Sequence, residues 1–225
     1  MADPIKVFIN RDQNEDGSFI YNFGDELGAE ILRKLGYNVE EVEYEEADVL
    51  PIGTTLFSNR KLKADCRVWG AGAWDYTFIN DRIPQILAVR GRLTEKALQL
   101  PATTIKGDTG LLASRFWRKS KKSHKLGVVK HYMDTNQYQF ADTEIWTTNP
   151  VDQVIAEITA CEMIATSSLQ GAVIAEAFGI PWVRLVADAT EHDFKWLDFI
   201  SALDRPIKQI QDELLQALEQ GIGKP

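Results

Sequence analysis

Cysteine is almost absent from this 225-residue chain. Cys66 and Cys161 are the only two, far apart and each in an apolar setting, with no Cys-x-x-Cys or Cys/His ligand spacing. That excludes a disulfide framework and a cysteine-built metal site, and it reads both thiols as reduced core residues. No run of about 18 consecutive apolar residues occurs, so the sequence offers no membrane-spanning candidate. The start, Met1-Ala2-Asp3-Pro4-Ile5-Lys6, does not set a basic stretch before an apolar one as a secretory leader does. These absences predict a cytoplasmic protein, with peripheral contact at the inner face of the membrane if its substrate is anchored there. Positive charge is also in deficit: 25 Lys and Arg against 33 Asp and Glu leave a net charge of -8. A general nucleic-acid binder is therefore disfavoured. A local basic cluster nonetheless lies between Arg115 and Lys130, where it can meet an anionic ligand.

What is present is an ordinary globular composition, 44% hydrophobic and 26% charged. Strands are predicted at Ile5 to Ile9, Asp48 to Ile52, Arg67 to Trp69 and Gln85 to Val89. Val39 to Tyr44 alternates apolar with acidic residues, as a half-exposed edge strand does. Helical spacing runs from Asp25 to Leu35 and from Thr94 to Leu100. A second series follows Pro101: strands near Thr104-Ile105, Leu126 to Val129, Glu144 to Trp146, Met163 to Thr166 and Trp182 to Val186. Its helices are predicted at Pro150 to Glu162, with Asn149 as N-cap, and at Ala172 to Phe178. Lys119 to Lys125 reads as a basic loop or linker. Arg205 to Leu218 is amphipathic, with Ile207, Ile210, Leu214, Leu215 and Leu218 on one face. Alternation of strand and helix implies mainly parallel sheets. The expected fold is α/β: two Rossmann-like halves, residues 1–100 and 101–204, and a C-terminal helix over 205–222 that packs back on the first half. One continuous sheet is the alternative.

Several short segments suit anionic chemistry. Ser167-Ser168-Leu169-Gln170-Gly171 joins a buried strand to a helix, so helix-end N–H groups and a positive dipole face whatever lies above the sheet. Asn22-Phe23-Gly24-Asp25 opens the first helix, where Asp25 either projects toward a ligand or complements the dipole while Asn22 caps. Trp69-Gly70-Ala71-Gly72 is a Gly-x-Gly turn lacking the third glycine of a dinucleotide fingerprint, so NAD is not inferred. Val89-Arg90-Gly91 puts an arginine at a strand end, suited to a carboxylate or phosphate and equally to a structural salt bridge. Gly107-Asp108 and His131-Tyr132 follow strands of the second half. His131 can donate a proton near neutral pH.

In this order, the segments resemble the motifs of the bacterial polysaccharide pyruvyl transferases over nearly the whole chain. The resemblance covers Asn22 to Asp25, Trp69 to Gly72, Val89 to Gly91, Gly107-Asp108, His131-Tyr132, Ser167 to Gly171, Ala177 to Pro181 and Phe194-Lys195-Trp196. It implies a fold like the GT-B glycosyltransferases and a cytoplasmic enzyme of exopolysaccharide or capsule biosynthesis. Its donor is phosphoenolpyruvate, bound between the halves, with no further cofactor and no metal. Its acceptor is a saccharide, free or lipid-linked, on which a cyclic ketal forms as phosphate leaves. The implied roles are Arg90 for the donor's carboxylate or phosphate and Ser167, Ser168 and Gly171 for the anion pocket, with Asn22 beside them. Asp25 or Asp108 would orient or deprotonate the acceptor hydroxyl, His131 would contact either substrate, and Lys195 would be a second phosphate contact.

The chain departs from the family at Gln170, where the family has a histidine resembling a general acid. Glutamine hydrogen-bonds but cannot donate a proton as imidazolium does. Three readings stay open: an engineered inactive variant, an enzyme using another acid such as His131, or a non-catalytic glycan- or phosphate-binding protein of the same fold.

Overall fold

The computed structural model describes residues 3–14, 16–56, 60–76, 85–187 and 192–225. Short apolar runs form two parallel sheets. The first has five strands in the order β2-β1-β3-β4-β5, from β1 (Ile5–Val7), β2 (Val39–Glu41), β3 (Val49–Leu50), β4 (Arg67–Trp69) and β5 (Gln85–Ala88). The alternating Val39 segment is the edge strand, which its acidic residues suit. The second sheet runs β7-β6-β8-β9, from β6 (His124–Lys130), β7 (Thr143–Trp146), β8 (Cys161–Thr166) and β9 (Trp182–Arg184). The chain is thus α/β with two Rossmann-like parallel sheets, consistent with a GT-B-like layout.

Seven α-helices occur among the described residues: α1 (Phe23–Lys34), α2 (Arg92–Ala97), α3 (Ala113–Phe116), α4 (Val151–Thr159), α5 (Leu169–Ala177), α6 (Asp193–Ile200) and α7 (Ile207–Ile222). None of them is long and apolar enough to cross a membrane. Two compact units result. One comprises residues 1–10, 28–109 and 193–225, the other residues 11–27 and 110–192. This differs from a division after residue 100, because the boundary falls inside α1 and because α6 and α7 both belong to the first unit. In that unit the Trp69 indole donates to the Leu214 carbonyl at 2.8 Å, tying α7 to β4.

Some local expectations differ. Thr104-Ile105 forms no strand of its own, and only a single bridge pairs Val89 with Lys106. α4 stops at Thr159, and Cys161-Glu162 open β8 instead. Pro150 is the N-cap of α4 with extended ψ, so the Asn149 amide does not cap it. The basic stretch is only in part a loop, since His124 and Lys125 begin β6.

The second sheet reverses direction at its centre. From β6 the chain steps outward to β7, then returns across β6 to β8 and on to β9. The boundary between β6 and β8 is a topological switch point, where the loops leaving two adjacent strands diverge and open a crevice at the strands' carboxyl ends. The loops there begin at His131 and Ser167.

Candidate functional site

Ser167 lies at this switch point and is almost fully buried. Its hydroxyl donates to Asp134 Oδ2 at 2.6 Å and accepts from the His131 backbone N–H at 3.1 Å. The loop after β6 is thereby fastened to the turn after β8. Asp134 is the residue that sequence reasoning missed. It sits in a polar loop with no motif around it, and only the fold brings it to Ser167. Its carboxylate also accepts from the Tyr138 hydroxyl at 2.8 Å and the Asn136 N–H at 3.0 Å. Burial pushes the Asp134 pKa up, but these hydrogen bonds and the Lys130 charge outweigh burial and hold it below the ordinary carboxylate range. Lys130, nearly buried, donates to the Asn136 carbonyl at 2.7 Å and stands 4.6 Å from the centre of the Trp146 ring.

The rest of the turn is built for close approach. Thr166 Oγ1 accepts from the Ser168 N–H at 3.0 Å and lies 2.9 Å from the Val129 carbonyl. Ser168 is the N-cap of α5, yet its side chain makes no capping bond. Gly171 faces the sheet, where a Cβ would meet Thr166 Oγ1 at 2.6 Å and Val129 Cγ1 at 2.9 Å. Only glycine lets the first turn of α5 sit so near β6 and β8. That turn directs its N–H groups and positive dipole end to the carboxyl ends of the strands. The Ser167 hydroxyl proton, by contrast, is already committed to Asp134.

The Asn22 segment joins the same unit. Asn22 Oδ1 accepts from the Gly24 N–H at 3.2 Å and its amide donates to Asp25 Oδ2 at 2.7 Å. Asn22 therefore caps α1 and orients Asp25 at once. Phe23 donates to the Thr147 carbonyl at 2.8 Å, setting the start of α1 beside the end of β7. Gly24 packs against Gln170, to whose Cγ a Cβ there would stand 2.7 Å away. Two predicted motifs, remote in sequence, thus meet at the first turns of α1 and α5. His131 stacks on Tyr132 with ring centres 4.4 Å apart. Its Nδ1 accepts from the Met133 N–H at 3.3 Å.

Arg90, Asp108 and Lys195 belong to the other unit. Arg90 is fully buried, with Nε donating to Asp198 Oδ2 at 3.0 Å and the guanidinium also reaching Thr54 Oγ1 at 2.8 Å and the Ala73 carbonyl at 3.3 Å. Asp198 accepts in addition from the Thr94 N–H at 2.9 Å and the Thr94 hydroxyl at 2.6 Å. Of the two roles open to this arginine, the geometry is that of the structural salt bridge. Gly72 and Gly91 serve it, since a Cβ at Gly72 would collide with the guanidinium and one at Gly91 with Asp198. Asp108 is fully buried, and Lys195 is half-buried on α6.

No family model matches the chain. It is similar to the succinoglycan biosynthesis protein ExoV of Rhizobium meliloti (strain 1021), 26% identical over 203 residues that cover 81% of this chain and 61% of that protein. It is also similar to the uncharacterized protein L143 of Acanthamoeba polyphaga mimivirus, 28% identical over 132 residues, covering 50% of this chain and 46% of that protein. The chain therefore spans less than two thirds of the length of either relative.

Proposed function

We propose that this protein is a transferase of exopolysaccharide biosynthesis. In this reading it moves the pyruvyl unit of phosphoenolpyruvate onto two hydroxyls of one sugar, forming a cyclic ketal and releasing phosphate. The reading is supported by the order of the sequence motifs and by the similarity to a succinoglycan biosynthesis protein. The structural observation that carries it is the junction of the Ser167 turn with the Asn22 segment at the switch point of the second sheet, through Gly24 and Gln170.

The reaction needs an anion cradle, a proton for the donor's methylene carbon and a base for the attacking hydroxyls. Helix-end N–H groups of α5 suit the phosphate or carboxylate. With its hydroxyl committed to Asp134, Ser167 contributes by holding the His131 loop rather than by donating to the anion. Protonation of the methylene carbon makes the adjacent carbon electrophilic. One sugar hydroxyl attacks it, phosphate leaves, and the second hydroxyl closes the ring. Asp25, oriented by Asn22, is the base for the acceptor, and His131, once protonated to imidazolium, is the acid in place of the missing histidine.

The test is phosphate release from phosphoenolpyruvate across a panel of saccharide acceptors. Acceptor-dependent release that falls about 100-fold or more in His131→Gln supports the assignment, since general acid catalysis contributes about 100- to 10,000-fold. Release at background for both this chain and Gln170→His counts against an enzyme. A second reading, a non-catalytic glycan- or phosphate-binding protein, is favoured by Gln170 itself. Calorimetric binding of phosphoenolpyruvate without turnover in either form supports it, and turnover restored by Gln170→His sinks it.

A further inference from the structure

The basic stretch leading into β6 carries charge of one sign only. From residue 109 to residue 133 there is no carboxylate, yet Arg115, Arg118, Lys119, Lys121, Lys122 and Lys125 fall within it, in a protein of net charge -8. All six are exposed. The backbone that carries them is fixed as a strap along α4. The Ser120 N–H donates to Thr159 Oγ1 at 3.0 Å and the Ser123 N–H to the Ala160 carbonyl at 2.9 Å, while the Trp117 indole donates to Asp152 Oδ1 at 2.5 Å. These bonds hold the strap without its charges.

Several cations elsewhere are spent on carboxylates: Arg33 on Glu30, Arg60 on Glu45, Lys63 on Asp48, Arg92 on Asp204 and Arg205 on Glu213. Among the described residues, Arg118, Lys119 and Lys121 make no ion pair. Lys122 is used locally, donating to the Cys161 carbonyl at the start of β8. Among the described residues, three carboxylates near the strap accept hydrogen bonds from other groups. Asp152 holds the Trp117 indole, Glu157 accepts from the Gln153 amide at 2.8 Å, and Asp142 accepts from the Lys125 and Leu126 N–H groups at 2.7 and 2.9 Å. Glu162, exposed on β8, lies near enough to Lys122 to interact electrostatically. Beside the cations, Phe116 and Trp117 are half-buried and pack edge to face with ring centres 6.4 Å apart.

We propose that the Arg115–Lys125 strap is a docking surface for an anionic lipid bilayer. Clustered Lys and Arg are drawn into the negative surface potential of such a bilayer, and adjoining aromatics suit its headgroup layer. Exposed cations on a strap whose backbone is fixed suit a surface of negative headgroups. The inference is independent of the proposed reaction.

The experiment is co-sedimentation of the full chain with vesicles of phosphatidylcholine alone or with 30% phosphatidylglycerol, a composition chosen for the test. The anionic vesicles capture the protein at low salt and release it near 0.5 M salt, where the Debye length is about 4 Å. The variant Arg118→Gln/Lys119→Gln/Lys121→Gln/Lys125→Gln, which keeps the Lys122 contact, loses about tenfold or more in partitioning with an unchanged circular dichroism spectrum. Equal capture by neutral vesicles overturns the proposal, as does a variant that binds like the parent. So does a DNA duplex that retains the protein as strongly and displaces it from vesicles, which would assign the strap to nucleic acid.

Discussion

Gly24 and Gln170 are packed so closely that a Cβ on Gly24 would lie 2.7 Å from the glutamine's Cγ and 2.9 Å from its Cβ. Gly24→Ala should therefore destabilise the protein even though alanine is favoured over glycine within a helix by up to about 1 kcal/mol. Overpacking typically costs about 1–3 kcal/mol, so the expected outcome in urea denaturation is a net loss. In a Gln170→Ala background the loss should shrink without vanishing, because the Cβ contact survives. An unchanged loss would mean that the two turns are not coupled through this contact.

The same pair shows what the sequence makes legible and what it does not. A short apolar strand, small hydroxyl residues and an apolar helix announce the Ser167 turn, and an asparagine before a helix announces the Asn22 cap. Their meeting depends on α1 starting beside β7, through the Phe23 bond to Thr147, which no local pattern encodes. Asp134 was invisible for a similar reason: a loop acid becomes significant only when β6 and β8 are neighbours. α6 was missed because its pattern is inverted, with Asp198 buried against Arg90 while Leu197 and Ile200 are exposed. A periodicity argument places apolar residues inside and carboxylates outside, so it fails where a buried ion pair organises the packing.

That ion pair yields a second prediction. Removing one partner strands a buried charge, and such losses run to about 3–5 kcal/mol. Asp198→Ala should fall in that range, because it also deprives Thr94 of its acceptor. Arg90→Met combined with Asp198→Asn should recover much of the loss, since no uncompensated charge remains and the amide still reaches Thr94. Chemical denaturation of the two variants decides it. Equal losses for the single and the double variant would show that charge is not what makes the pair matter.

The two thiols should be inert in the native protein. Burial pushes Cys66 up to about 12, only partly offset by the Lys63 charge, and burial likewise pushes Cys161 up to about 11. Because the thiolate is the reactive form, Cys161 at pH 8 should label about 100-fold more slowly than an exposed cysteine, and Cys66 more slowly still. Reaction with a chromogenic disulfide reagent, before and after addition of urea, measures this. Prompt labelling of one equivalent without denaturant would place a thiol at the surface.

Asp134 gives the pH dependence. Its folded-state pKa is depressed, so its ionised form stabilises the fold above the ordinary carboxylate range. That contribution declines as pH falls through the ordinary range toward the lower folded value, where the carboxylate takes up a proton and the Ser167, Tyr138 and Asn136 donors lose their charged acceptor. Asp134→Asn keeps a neutral acceptor but removes the titration. Its thermal midpoint should lie below that of the parent at pH 7, and the gap should narrow as pH drops toward 3. Ser167→Ala, which removes a hydrogen bond that holds that pKa down, should shift the parent's acid transition to higher pH without abolishing it. A gap that stays constant from pH 7 to pH 3 would mean that the carboxylate's charge plays no part in fastening the His131 loop to the Ser167 turn.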